Sequence, residues 1–165
     1  MRQVDIFVAA SIRGPARGTG KVMYVMRTER RDGSAHESPP SVAEALDATE
    51  GRLVLMAVRD ALQRMNYACS ITVHTESAYI ASAISNGWME AWERDGWRNA
   101  KGKEVRDSTL WAMIYRLVEE DGHVLSAEQG AHEYAQWMRW RMAFTDALPG
   151  VFSGVREEPV RSVRD

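Results

Sequence analysis

A short run that is apolar at almost every position, Val4-Asp5-Ile6-Phe7-Val8, constrains this chain more than any other feature. A strand with one solvated face alternates in polarity, whereas a strand apolar on both faces belongs inside a sheet that is covered on both sides. The turn that follows, residues 13–20, is punctuated by Gly and Pro and leads into a second extended run, Val22-Met23-Tyr24-Val25-Met26. A hairpin is the simplest connection between them. No Gly-Lys-Ser/Thr follows the turn, so it is not a phosphate-cradling loop. Asp32-Gly33-Ser34 marks the next turn. Residues 34–48 hold Pro39-Pro40 and little β pattern, which leaves a short edge strand and a loop equally open.

Beyond residue 48 the apolar period changes. Thr49 caps a helix that runs to about residue 66, with Leu53, Met56, Ala57, Ala61, Leu62 and Met65 as its stripe. Residues 69–75 read as a strand with Ile71 and Val73 on one face. Ser77 caps a helix over 78–85, which Asn86-Gly87 ends. A short helix over 88–94, a long amphipathic helix over 105–120, a short strand over 123–125 and a final helix over 128–144 complete the order. A hairpin first and alternating βα units later imply an α/β domain, a mixed sheet covered by helices. From Leu148 onward Pro, Gly and balanced charge predict a loosely held segment. The expected organisation is one domain over residues 1–145 and a tail over 146–165.

A chain of 165 residues with 45% hydrophobic side chains is long enough for one domain with a sizeable core. It has no apolar run of about 18 residues, so no membrane span is expected. Cys69 is the only cysteine, which excludes an internal disulfide and a Cys-based zinc site. Its apolar surroundings make it a buried structural thiol rather than a nucleophile. With no signal-like apolar segment at the N-terminus, a reducing cytoplasm is the expected location. The net charge of −2 argues against strong attraction to phosphate over the whole surface. Its distribution is uneven: residues 1–31 carry +5, residues 32–93 carry −6 and the remainder −1. Within that remainder Arg94, Arg98, Lys101, Lys103 and Arg106 gather against Asp95 and Glu104, a second local basic region.

Four segments now align with one family. They are the first strand with Ser11 and the Gly14-Pro15 turn, the helix start from Thr49 to Ala57, Thr75-Glu76-Ser77-x-Tyr79-Ile80, and Gly87-Trp88-x-x-x-Trp92-x-x-x-Gly96-Trp97 continued by Lys103-x-Val105-x-Asp107-x-x-Leu110-Trp111. Together they resemble a ribonuclease H domain of the type with an extra basic, Trp-containing helix. Ser11-Ile12-Arg13-Gly14-Pro15 is similar to a divergent branch of that family found on mobile elements. The resemblance implies a five-stranded mixed sheet, its first three strands antiparallel and its later strands parallel, flanked by helices. It also implies hydrolysis of the RNA strand of an RNA/DNA hybrid by two divalent ions held on four carboxylates. The family's positions fall on Ala9, Val54, Glu76 and, with a poor match, Ala135; only Glu76 is acidic. One carboxylate does not hold two hard cations against water, so ordinary two-metal catalysis is expected to be lost. Asp5 shares a strand face with Ala9 but lies about 13 Å along the strand. Glu50, four residues before Val54 on the same helix face, leaves Glu50 with Glu76 as a weak one-ion pair. His132 is read as a surface or partly packed residue rather than an acid/base.

The binding features are better kept. Arg94, Arg98, Lys101 and Lys103, with Trp97, match the basic handle with which the family grips DNA, and the basic residues are the natural phosphate contacts. The tryptophans also read as the handle's own small core, linked to Trp111. Thr49 at a helix N-terminus, with Ser11 and Arg13, adds candidate contacts to the backbone. Asp107 replaces an amide in the family's phosphate pocket and would repel an anion. The expectation is a catalytically impaired ribonuclease H-like protein that binds an RNA/DNA hybrid or DNA. The alternatives are residual Mn²⁺-dependent cleavage and a protein-interaction module that kept the fold. No cofactor is expected; Mg²⁺ or Mn²⁺ enters only with residual activity.

Overall fold

Strand β1 (Arg2–Ala10) occupies the middle of the sheet, as its two-sided apolar pattern requires. The structure, a computed structural model, describes residues 1–155. On one side β1 pairs antiparallel with β2 (Gly18–Glu29), which pairs antiparallel with β4 (Ser41–Ala48). On the other side β1 pairs parallel with β5 (Cys69–Thr75), and β5 pairs parallel with β6 (Val124–Gln129). A three-residue strand, β3 (Ala35–Glu37), pairs with β2, and β7 (Ser153–Gly154) pairs with β4. The mixed ribonuclease H-like sheet flanked by helices is therefore present, with two short strands added to the expected five. The undecided segment 34–48 holds both β3 and β4. Pro39-Pro40 lies just before β4, where its missing N–H groups cost the ladder nothing.

Because side chains alternate along β1, Val4, Ile6 and Val8 enter one core while Phe7 and Ala9 enter another on the opposite face. The first core is built on α1 (Glu50–Gln63), whose broad apolar face is buried between the sheet and α4 (Ser108–Asp121). Helix α2 (Ala78–Ser85) packs beside α1, and Gly51 permits that approach: a Cβ there would sit 3.3 Å from the Tyr79 ring. Helix α3 (Trp88–Arg94) follows α2. The second core lies under α5 (Ala135–Met142), which drives Met138 and Met142 onto Phe7, Ala9, Met23 and Val25.

Four elements have boundaries that differ from expectation. Glu128 and Gln129 extend β6 rather than open the last helix, because the parallel ladder runs on to Thr75↔Gln129 and Gly130 N then donates to Thr75 O. The final helix shrinks to α5. Helix α4 begins at Ser108, since Val105 N donates across a loop to Trp97 O. Helix α1 ends at Gln63. Of the expected tail, the described part lies along β4: Glu44 exchanges backbone bonds with Leu148 and Gly150, and Val155 N donates to Pro40 O. Residues 156–165 lie outside the described residues.

Candidate nucleic-acid interface and acid site

The carboxyl ends of β1 and β5 run side by side, and the parallel register pairs Phe7 with His74. Two residues on, Ala9 is level with Glu76. Glu76 stands between the last residue of β5 and Ser77, whose hydroxyl caps α2 by accepting from Ile80 N. The α1 N-terminus arrives beside it, with Thr49 Oγ1 accepting from Arg52 N at 3.2 Å. In an open α/β sheet the carboxyl ends of strands are where sites form.

Of the four family positions, three are small or apolar and closed to solvent. Ala9 lies in the core beneath α5, Val54 in the core around α1, and Ala135 opens α5 in a buried position. Glu76, the fourth, is 11% exposed at its side chain and is held by two arginines. Arg13 Nη2 donates to Oε2 at 3.0 Å, and Arg139 Nη1 donates to Oε1. Arg139 was not legible as a site residue in the sequence, although it lies one turn beyond Ala135 and hence on the same helix face.

Glu50 is also engaged: its Oε1 accepts from Gly14 N at 3.0 Å, which fixes the turn that carries Arg13. Among the described residues no three His, Cys, Asp or Glu side chains come together in a metal-binding group. Divalent ions of the Mg²⁺ kind need several oxygen donors and compensating negative charge. One carboxylate already bound by two guanidiniums, and a second accepting a backbone amide, do not match that demand.

The loop that brings α5 to the site is anchored by His132. Its Nε2 donates to Val8 O at 2.7 Å and its Nδ1 accepts from Tyr134 N at 3.2 Å, so both nitrogens of the neutral ring are used. Burial holds its pKa below the ordinary value. His132 is thus a partly packed structural residue.

Next to Glu76 a cleft of about 470 Å³ opens between the N-termini of α1 and α2, lined by Arg13, Thr49, Glu50, Ser77 and Arg106 among others. Ser11 lies outside it. Its hydroxyl accepts from Lys21 N at 2.8 Å and helps close the hairpin. Asp107 does not act as a bare repelling charge: Arg52 Nη1 donates to its Oδ1 at 3.1 Å.

The handle is α3 with the loop to α4. Arg94, Arg98, Lys101 and Lys103 are exposed, and none has a carboxylate at ion-pair distance among the described residues. Arg98 donates to Gly102 O, and Asn99 Oδ1 accepts from the Lys101 and Lys103 amides, shaping the loop. Trp92 and Trp111 form its core: Trp92 lies between exposed Trp88 and buried Trp111, with ring centroids 6.1 and 5.5 Å away. Trp97, half-buried with a left-handed φ of 64°, packs on Tyr115. The packing reading thus describes Trp97 better than a free contact does.

A mixed sheet, a helix pair over one face and a basic Trp-cored handle define a ribonuclease H-like α/β domain. The RNase H family model matches residues 1–133, and the chain belongs to that family. A ribonuclease H of Oleidesulfovibrio alaskensis is 29% identical over 121 residues, 72% of each chain. Ribonuclease H of Syntrophomonas wolfei is 38% identical over 87 residues, 52% of this chain and 59% of that one. A ribonuclease HI of Xylella fastidiosa is 41% identical over 73 residues, 44% and 48% of the two. The chain thus spans about half the length of several relatives it matches. Among solved structures, LC9-RNase H1, a type 1 enzyme with the type 2 active-site motif, superposes with a TM-score of 0.69 at 18% identity, covering 94% of this chain and 78% of that one. A foamy viral protease-reverse transcriptase in complex with RNA/DNA hybrid gives 0.60 at 16% identity, over 86% of this chain and 19% of that one. At such identities these two likenesses establish the fold alone. Among the described residues no helix is long and apolar enough to cross a membrane.

Proposed function

We propose that this domain binds nucleic acid, an RNA/DNA hybrid or DNA, without cleaving it by the two-metal route. The observation that carries the reading is Glu76 held between Arg13 and Arg139, at one of the four positions that the resemblance assigns to metal-binding carboxylates. Replacing acids by Ala9 and Val54 removes ligands, and the arginines turn the local charge from negative to positive. The handle keeps exposed cations on a packed Trp core, which supports backbone binding. Mg²⁺ or Mn²⁺ has no part in this binding, and an accessory role on a mobile element is in keeping with the turn at Ser11. The cytoplasm is the compartment proposed, on the lone buried Cys69.

The test is a labelled RNA/DNA hybrid incubated with Mn²⁺ and either the wild type or Glu76→Ala. Salt-dependent binding with no cleavage by either protein is expected. Cleavage by the wild type but not by the variant would make the chain a residual nuclease using Glu76 and Glu50, which line the same cleft. If neither binding nor cleavage is seen, a protein-interaction role gains ground. The outer face of α5, with Trp137 and Trp140 exposed and Phe144 just beyond, is the surface that favours it.

A further inference from the structure

The two arginines at Glu76 carry an inference that rests on the binding reading and deepens it. We propose that Arg13 and Arg139 are a metal-independent grip for a backbone phosphodiester, and that Glu76 is the internal anion this phosphate displaces.

Charge is the first argument. Two guanidiniums face one carboxylate, so the cluster carries +1 before any ligand arrives. Among the described residues no other carboxylate pairs with either arginine. Each guanidinium has five N–H donors in a planar fork, and each gives the carboxylate one. Exposure is the second. The Arg13 and Arg139 side chains are 56% and 35% exposed, while Glu76 lies beneath them at 11%. The donors left over are therefore on the solvent side. A phosphodiester offers the same paired-oxygen geometry as a carboxylate and matches the fork equally well.

The surroundings extend the argument. The arginine pair lies between two clefts. One contains Arg13 with Thr49, Ser77 and Arg106; the other, about 350 Å³, contains Arg139 with Ser11, Thr19 and Lys21. Cations thus continue on both sides of the pair, Arg106 in the first cleft and, in the second, Lys21, whose Nζ donates to Met142 O and Thr145 O. Glu44 in the second cleft is the one opposing charge there. Ala9 and Val54, at two of the positions where the resemblance expects acids, are buried and carry no side-chain oxygen that would repel an anion. Without nucleic acid, Glu76 keeps both forks converged and so preserves the geometry that a phosphate needs.

The test is fluorescence anisotropy of a labelled hybrid, in EDTA and in Mg²⁺ at matched ionic strength. The proteins are the wild type, Arg13→Gln, Arg139→Gln, Glu76→Gln and, as a control remote from the site, Arg2→Gln. The expected affinity is the same in EDTA and Mg²⁺. Each of Arg13→Gln and Arg139→Gln weakens binding about tenfold and lowers the salt slope by roughly one. Glu76→Gln tightens binding about threefold, because the forks are freed and a negative charge is gone. Thermal melts establish that each variant folds. If Glu76→Gln does not fold, the exposed Arg13→Gln still decides. Binding that needs Mg²⁺, or that weakens in Glu76→Gln, overturns the grip. Binding that ignores both arginines but falls in Lys101→Gln/Lys103→Gln overturns the grip and leaves the binding reading standing. No binding by the wild type removes both.

Discussion

Basic side chains gather in two regions of this molecule, and the two treat charge in opposite ways. On the handle, Arg94, Lys101 and Lys103 project into solvent with no acidic partner among the described residues, over a core made of Trp92 and Trp111 with exposed Trp88 at its edge. At the acid site, Arg13 and Arg139 converge on one nearly buried carboxylate. The handle is a packed scaffold with loosely specified charges. The acid site is a set of closely specified charges held by the packing of α5, the Gly14 turn and the α2 cap. Substitutions should therefore affect the handle gradually, one phosphate contact at a time. The acid site should respond as a unit.

Four changes would break or sharpen that contrast. Trp111→Ala has the largest expected effect: a fully buried aromatic joining handle to body is lost, at about 3–5 kcal/mol in stability by denaturant titration. A small loss would mean that the handle is not anchored through its core. Second, Ala9→Asp/Val54→Glu/Arg139→Ala restores two carboxylates and removes one competing cation. It is expected to bind Mn²⁺ in calorimetry where the wild type does not, with a melting point lowered by the charge placed in the core. No gain in metal binding would put the site elsewhere. Third, Lys101→Gln/Lys103→Gln should weaken hybrid binding by about tenfold in all and reduce the salt slope by roughly two, with no change in melting temperature.

The smallest effect concerns pH. Burial, the main cause, lowers the His132 pKa from 6.5, against the opposing hydrogen bond to Val8 O. His74, Glu76 and Arg139 are the charged or titratable groups around it. With the folded value below the unfolded one, the unfolded chain takes up the proton first as the pH falls. The stability that neutral His132 contributes is therefore complete above its unfolded pKa and is lost as the pH drops through the lowered folded value. Melting curves of the wild type between about pH 7.5 and about pH 4.5 should decline more steeply than those of His132→Gln, since Gln does not titrate there. Equal slopes would show that the ring does not anchor α5 as the neutral form.

How far the sequence led depends on the kind of signal. The two-sided apolar run at β1 and the period change at Thr49 were sufficient for the mixed sheet, because burial on both faces leaves few arrangements. The last helix was placed too early because Glu128 and Gln129 lack β character of their own; the ladder to β5 decides their state, and a ladder is not visible in local composition. The handle's tryptophans were legible as a core from their spacing. Arg139 was not, since an arginine on a helix is ordinarily solvated and nothing in its neighbourhood along the chain signals a partner 63 residues away. The roles of Glu50 and Asp107 were hidden for the same reason: the partners Gly14 and Arg52 come from distant segments.

The central place of β1 also sets a schedule for synthesis. Its β2 edge is satisfied by the next segment to emerge, but its other edge waits for β5, which begins at Cys69. At ribosomal rates of about 5–20 residues per second, that apolar edge stays open for roughly 3–12 s. A chain that is stable once complete thus passes through an interval in which the β5-facing edge of its central strand can pair with other chains, because hairpin formation with β2 covers the opposite edge alone.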